Sequence, residues 1–189
     1  MDKNNESNEK RAVAIDACLA QFVEKGLIAT TSRDLSKALN LQTAGMYSYF
    51  NSKDDAVVAC AEEAALRLEN ELISVAIENL TDVDKLIEDV LKKAKDLSPM
   101  MRFFTSVCST QKYEVQMEPV LTRLSKRYEK YVTEFAEYTQ CDAETIKPYI
   151  FIGITAIANY MVYQEPSYII PQFDIVRKGF EKHQKVKPA

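Results

Sequence analysis

Apolar residues recur along this chain at intervals of three and four, and almost nowhere do they alternate with polar ones as they would along a half-buried strand. Side chains at that spacing share one face only if the backbone is helical, which restricts the chain to an all-α fold. Breaks are few, with four glycines and six prolines in 189 residues, and about nine helices are predicted between them. The first covers 10–25, with Ile15, Cys18, Leu19, Phe22 and Val23 on one face and Gly26 as its stop. The second follows Thr31, whose hydroxyl caps the first turn while Asp34 completes a capping box, and it buries Leu35, Ala38 and Leu39. Asn40 then marks a turn, as one of the few residue types besides glycine that tolerate a left-handed backbone. A third helix is predicted over 42–50, with Leu41, Met46 and Phe50 turned into the core.

The fourth helix, 53–78, keeps Val57, Ala61, Ala64, Leu68, Leu72 and Val75 in register, with Asp54 and Asp55 in its first turn where the helix dipole favours them. Thr81 or Asp82 is expected to cap a fifth that ends near 97, and Ser98-Pro99 to open a sixth that ends near 109. The seventh, 119–138, carries a stripe of Leu121, Leu124, Tyr128, Tyr131, Phe135 and Tyr138. Asp142 caps the eighth, which runs to Tyr163 and is apolar nearly all round; the ninth, 172–183, buries Phe173, Val176 and Phe180.

Residues that do chemistry are sparse. One histidine, His183, and four widely spaced cysteines, Cys18, Cys60, Cys108 and Cys141, offer neither zinc-ligand spacing nor a Cys/His pair. A phosphate-binding glycine loop and a nucleophilic triad are also missing, so neither an enzyme nor a cofactor is expected. No apolar run approaches the length of a bilayer span, and the polar start Met1-Asp2-Lys3-Asn4-Asn5-Glu6 has no signal-peptide hydrophobic region, which implies a cytoplasmic protein. The net charge of -4 works against binding nucleic acid in bulk, but it is unevenly spread. Residues 1–53 hold seven Lys and Arg against six Asp and Glu, and the rest of the chain holds 17 against 22. Any nucleic-acid contact must therefore rest on placed residues and not on a basic patch.

The second and third predicted helices, joined through Asn40-Leu41, have the proportions of a helix-turn-helix unit, whose second helix enters the major groove of DNA. The run from Thr30-Thr31-Ser32-Arg33-Asp34-Leu35 to Ala38-Leu39, with Leu41 and Met46-Tyr47-Ser48-Tyr49-Phe50-Asn51-Ser52-Lys53 after it, resembles the DNA-binding signature of the tetracycline-repressor (TetR) family over about the first sixty residues. The resemblance implies a helix-turn-helix domain at 1–52, a ligand-binding and dimerisation domain at 53–189 built as a C-terminal helical bundle, and a transcription regulator released from DNA by a small molecule. Thr31, Ser32 and Arg33 then gather at a phosphate. Tyr47, Tyr49 and Lys53 hold positions that touch backbone phosphates in the family. Gln42, Thr43 and Gly45 become the candidates for base reading, since glutamine can pair with adenine and threonine can meet a thymine methyl. The sequence departs from the family's usual pattern at Asn40, where glycine is common, and at Gln42, Thr43 and Ser48, where small or basic residues are frequent.

A single reading helix spans few base pairs, so a symmetric dimer on a palindromic duplex operator is expected. The eighth and ninth helices are the candidates for its interface. Ile150, Ile154, Ile157 and Met161 form one stripe and Ile152, Ala156, Tyr160 and Tyr163 another, one for the core and one for a partner. Met100, Phe103, Phe104, Met117, Tyr128, Tyr131 and Tyr160 are candidates to line a site for an apolar or aromatic effector. The rival reading is a helical protein-interaction module that does not bind DNA.

Overall fold

The computed structural model describes residues 3–42, 45–79 and 83–183, and every regular element among them is helical. The α-helices are α1 Lys3–Lys25, α2 Ser32–Ala38, α3 Lys53–Glu78, α4 Val83–Cys108, α5 Glu114–Thr139, α6 Ala143–Tyr163 and α7 Ile170–His183. Short 3-10 turns lie at Gly45–Ser48, Gln111–Tyr113 and Pro166–Tyr168. The all-α class stands, but the described residues form seven α-helices and not nine.

Two expected elements account for the difference. The predicted fifth and sixth helices are one, α4, with Pro99 inside it. A proline there removes one ladder hydrogen bond, yet Val90, Ala94, Ser98 and Met101 are buried at intervals of four, four and three, so packing carries the helix past the break. Pro119 likewise lies inside α5 and does not begin it. The predicted third helix shrinks to the turn Gly45–Ser48, for reasons given with the site. The caps expected at Thr81 or Asp82 fall outside the described residues.

The chain divides into two compact units. Met1–Glu71 and Pro99–Glu118 make up the first, whose centre is a stack of Phe22 on Phe103 with ring centroids 4.9 Å apart. On α3, Ala56, Cys60, Ala61 and Ala64 are fully buried, small side chains that let neighbouring helices come close. Cys18 and Cys60 belong to this core, and burial pushes the Cys18 thiol up to about 11 and that of Cys60 higher, so both stay protonated near neutral pH.

Leu72–Ser98 and Pro119–Ala189 make up the second unit. Asp142 caps α6 by accepting from the Thr145 amide at 2.9 Å. On α5, Leu121 is exposed, while Val120, Val132 and Ala136 are buried beside the half-buried Leu124, Tyr128, Tyr131 and Phe135. The packed face is therefore turned by about one residue from the predicted stripe; the Tyr138 side chain lies outside the described residues. Helices α6 and α7 pack against each other, and a Cβ at Gly179 would collide with the Tyr149 ring, so the missing side chain is what admits that ring.

Neither predicted stripe of α6 is buried whole. Ile146, Gly153, Ala156, Tyr160 and Met161 form the buried face, while Ile154 is 46% and Tyr163 61% exposed. The small Gly153 and Ala156 set that face, because there α7 can approach most closely. By length and composition α6 is apolar enough to cross a bilayer, with mean hydropathy 1.2, contrary to the expectation that no run comes near. Its packing on α7 accounts for part of that apolar character.

Candidate nucleic-acid interface

The site begins with Thr31, extended at φ -100° and ψ 163°. Its hydroxyl accepts from the Asp34 amide at 3.2 Å, and its own amide donates to Asp34 Oδ2 at 2.9 Å, so the expected capping box is formed. Lys25, the last residue of α1, reaches Asp34 Oδ1 at 2.6 Å. The bonds from Lys25, then from the Thr31 hydroxyl and amide, hold the Asp34 carboxyl well below the usual range. Thr30 is fully buried and donates to the Gly26 carbonyl at 2.8 Å, which fixes the approach to α2. Thr31 and Arg33 are exposed and Ser32 is half-buried.

Past α2, Asn40 is left-handed at φ 56°, as its residue type suggested. The Asn40 amide bonds the Lys37 carbonyl at 3.0 Å and the Leu41 amide bonds that of Ser36 at 2.9 Å, the paired closure that ends a helix at a left-handed residue. The Gly45 amide then bonds the Gln42 carbonyl at 2.7 Å and begins the 3-10 turn Gly45–Ser48. An α-helix over 42–50 would be only nine residues long, below the length at which a helix holds itself together, and Gly45 weakens it further. A Cβ at position 45 would also collide with the Leu41 side chain. Glycine here serves a close approach of Leu41, which is itself 39% exposed and not in the core as predicted.

Met46 and Phe50 are buried, and the Met46 carbonyl accepts from the amides of Tyr49 and Phe50, both at 3.0 Å. The Met46 amide reaches Ser36 Oγ at 3.4 Å, tying the turn back to α2. Gln42 and Tyr47 are exposed, Gly45, Tyr49 and Lys53 are half-buried, and Thr43 lies outside the described residues.

Lys53 opens α3 ahead of two carboxylates, Asp54 and Asp55, that are held by distant partners. Ser52 Oγ accepts from the Asp55 amide at 3.0 Å and Asp55 Oδ2 accepts from the Asn51 amide at 2.8 Å, so the start of α3 is tied to the two residues before it. Arg11 of α1 reaches Asp55 at 3.4 Å and lies over the Phe50 ring, 5.4 Å from its centroid. Asp54 receives the Lys112 ammonium at 2.8 Å and the Tyr113 hydroxyl at 2.9 Å, both from the turn Gln111–Tyr113. Lys112 is the main cause that lowers the Asp54 carboxyl. Spacing along the chain held no sign of these pairs, since the partners stand 44 to 59 positions apart.

The effector candidates fall in both units. Met100, Phe103, Phe104 and Met117 belong to the first, where Phe103 and Met117 are fully buried and the other two half-buried. Tyr128, Tyr131 and Tyr160 belong to the second, where the Tyr128 hydroxyl donates to the Lys147 carbonyl at 3.0 Å.

Residues 14–60 match the family model of bacterial regulatory proteins of the tetR family. None of the curated proteins matches the sequence. Among solved structures, a protein from Mesorhizobium loti assigned to the TetR-family transcriptional regulators is similar with TM-score 0.65 and 13% identity, over 93% of this chain and 96% of that one. At that identity the likeness is one of fold. TetR-family regulators from Marinobacter aquaeolei (TM-score 0.46, 15% identity, 95% and 98% covered) and Thermus thermophilus (0.47, 16%, 94% and 96%) are similar more distantly.

The Thr31 cap gives a stability test. Thr31→Ala is expected to destabilise the protein by about 1 kcal/mol in chemical denaturation. The carboxyls of Asp34 and Asp54 ionise at lower pH when folded, so the stability they contribute is complete above the unfolded value of about 3.9 and lost as pH falls through the folded ones. Melting temperature should therefore drop below about pH 4, and by less in Asp34→Asn; an equal drop in both proteins would refute the assignment.

Proposed function

We propose that this chain, whose residues 14–60 match the family model of bacterial regulatory proteins of the tetR family, is a DNA-binding transcriptional regulator of that kind, a dimeric repressor released from a palindromic operator by a small apolar or aromatic effector. One pattern carries the assignment of the DNA-facing surface to this segment. Thr31, Arg33, Gln42 and Tyr47 are exposed while Leu35, Met46 and Phe50, interleaved with them, are buried, so polar and cationic groups project from a packed base.

Within that surface Ser32 and Arg33 grip a phosphate, and Thr31, whose hydroxyl is engaged with Asp34, positions them. Tyr47 and Tyr49 offer phenolic donors and Lys53 an ammonium to the backbone. Gln42 and Thr43 read bases, and Gly45 lets the turn fold tightly beside them. Tyr47→Phe and Lys53→Ala should weaken binding to all duplexes alike, Lys53→Ala also lowering the salt slope by about one, whereas Gln42→Ala or Thr43→Ala should change base preference. Fluorescence anisotropy on a panel of duplexes reads both effects, and four variants with the same behaviour would rule out the division into grips and readers.

Regulators of this family are usually dimers, and the exposed apolar side chains of the second unit suit α6 and α7 to that role. Phe151 is 61%, Ile154 46%, Ile170 51% and Ile175 49% exposed, a concentration of apolar surface that a partner subunit would cover. Two bound subunits would place their reading segments about 34 Å apart or a multiple of it. Ile154→Glu is expected to yield monomers in analytical ultracentrifugation with strongly reduced operator affinity; a dimer that persists would exclude this face.

Such regulators are as a rule not enzymes, so the effector is bound and not turned over. Within each unit taken by itself some of the candidate lining residues are half-buried, Met100 and Phe104 in the first and Tyr128 and Tyr131 in the second, and leave surface for a ligand to cover. A compound that raises the melting temperature should also release the operator, through its higher affinity for the form that does not bind DNA. Operator affinity unchanged by every stabilising compound would contradict the effector role. A regulator that meets the bacterial chromosome works in the cytoplasm.

A further inference from the structure

We propose that Asp54, Lys112 and Tyr113 are positioning residues that hold Lys53 in place for its contact with a DNA phosphate, an inference that rests on the reading of Lys53 as a backbone grip. Lys53 is the first residue of α3, where an unsupported helix end frays. Its neighbour Asp54 receives the Lys112 ammonium on both carboxylate oxygens, at 2.8 and 2.7 Å, and the Tyr113 hydroxyl at 2.9 Å.

Stability alone does not explain this cluster. The Lys112 and Asp54 side chains are 62% and 38% exposed, and ion pairs so exposed contribute little to folding. Tyr113 differs, because its ring is buried at 6% exposure and its hydroxyl is therefore aimed from a fixed origin. The turn that carries it belongs to the same compact unit as α1 and α2, with Phe103 stacked on Phe22 and Val107 and Met117 fully buried nearby in sequence. A directional donor on an anchored turn thus fixes the first turn of α3.

Charge points the same way. A bare carboxylate one residue from a phosphate grip would repel the phosphate, and the Lys112 ammonium offsets that charge where it stands. Asp54 then supplies orientation without the full repulsion.

The test uses the purified full chain and a short mixed-sequence DNA duplex, since phosphate contacts do not depend on sequence. Affinity is measured by anisotropy at several salt concentrations, and melting temperature confirms folding. Removing a negative charge near DNA should tighten binding by simple electrostatics; positioning predicts instead that Asp54→Asn binds about tenfold more weakly, with the salt slope lowered by about one, as in Lys53→Ala. Tyr113→Phe keeps every charge and the buried ring, and it should weaken binding severalfold alone yet change nothing further in a Lys53→Ala background. Tighter or unchanged binding by Asp54→Asn, or full additivity of Tyr113→Phe with Lys53→Ala, overturns the proposal. Failure of the DNA reading looks different: the wild type would not bind the duplex, or Lys53→Ala would bind with unaltered affinity and slope.

Discussion

A seven-residue helix and a four-residue turn cannot hold their own shape in water, and the segment proposed to face DNA consists of these two pieces. Isolated helices need on the order of 12 to 15 residues before they become even marginally stable. The geometry of α2 and of Gly45–Ser48 is therefore borrowed from what they are buried against. Leu35, Met46 and Phe50 supply the apolar contacts and Phe22, stacked on Phe103, supplies a rigid centre. Through Phe103 the hairpin segment Pro99–Glu118, distant in sequence, becomes part of the same unit.

Three carboxylates then set the orientation that burial leaves free. Asp34 ties α2 to Lys25 of α1, Asp55 ties α3 to Arg11 of α1, and Asp54 ties α3 to Lys112 and Tyr113 of the turn Gln111–Tyr113. Each pair is partly exposed and adds modestly to stability, and on the proposed reading of the site together they help to place Arg33 and Lys53. This reconciles a net charge of -4 with binding to a polyanion. Several acidic residues of the first unit are occupied by internal cations, and on the proposed reading the placed side chains are left to meet phosphate.

Local signals carried furthest in the sequence. The capping box at Thr31 and Asp34 and the left-handed turn at Asn40 depend on residues within a few positions, and both form as expected. The helical register of α3 was legible for the same reason, with Val57, Ala61, Ala64 and Leu68 all buried. Elements decided by competition between local preference and packing were not. Pro99 reads locally as a helix start, but buried residues on both sides keep α4 continuous. Gly45 gives no local hint that Leu41 will lie against it, and so the third helix was expected where a 3-10 turn forms. Arg11, Lys112 and Tyr113 were invisible as partners because only the fold brings them to α3.

Footprinting of the intact protein on its own genome tests the central claim, that a packed base of Leu35, Met46 and Phe50 presents Gln42, Tyr47 and their neighbours to duplex DNA. The account predicts protected palindromes whose half-sites lie about one helical turn, roughly 34 Å, or a multiple apart, with protection lost when Met46→Ala removes the base. Protection without symmetry, or palindromes still protected in Met46→Ala, would contradict it.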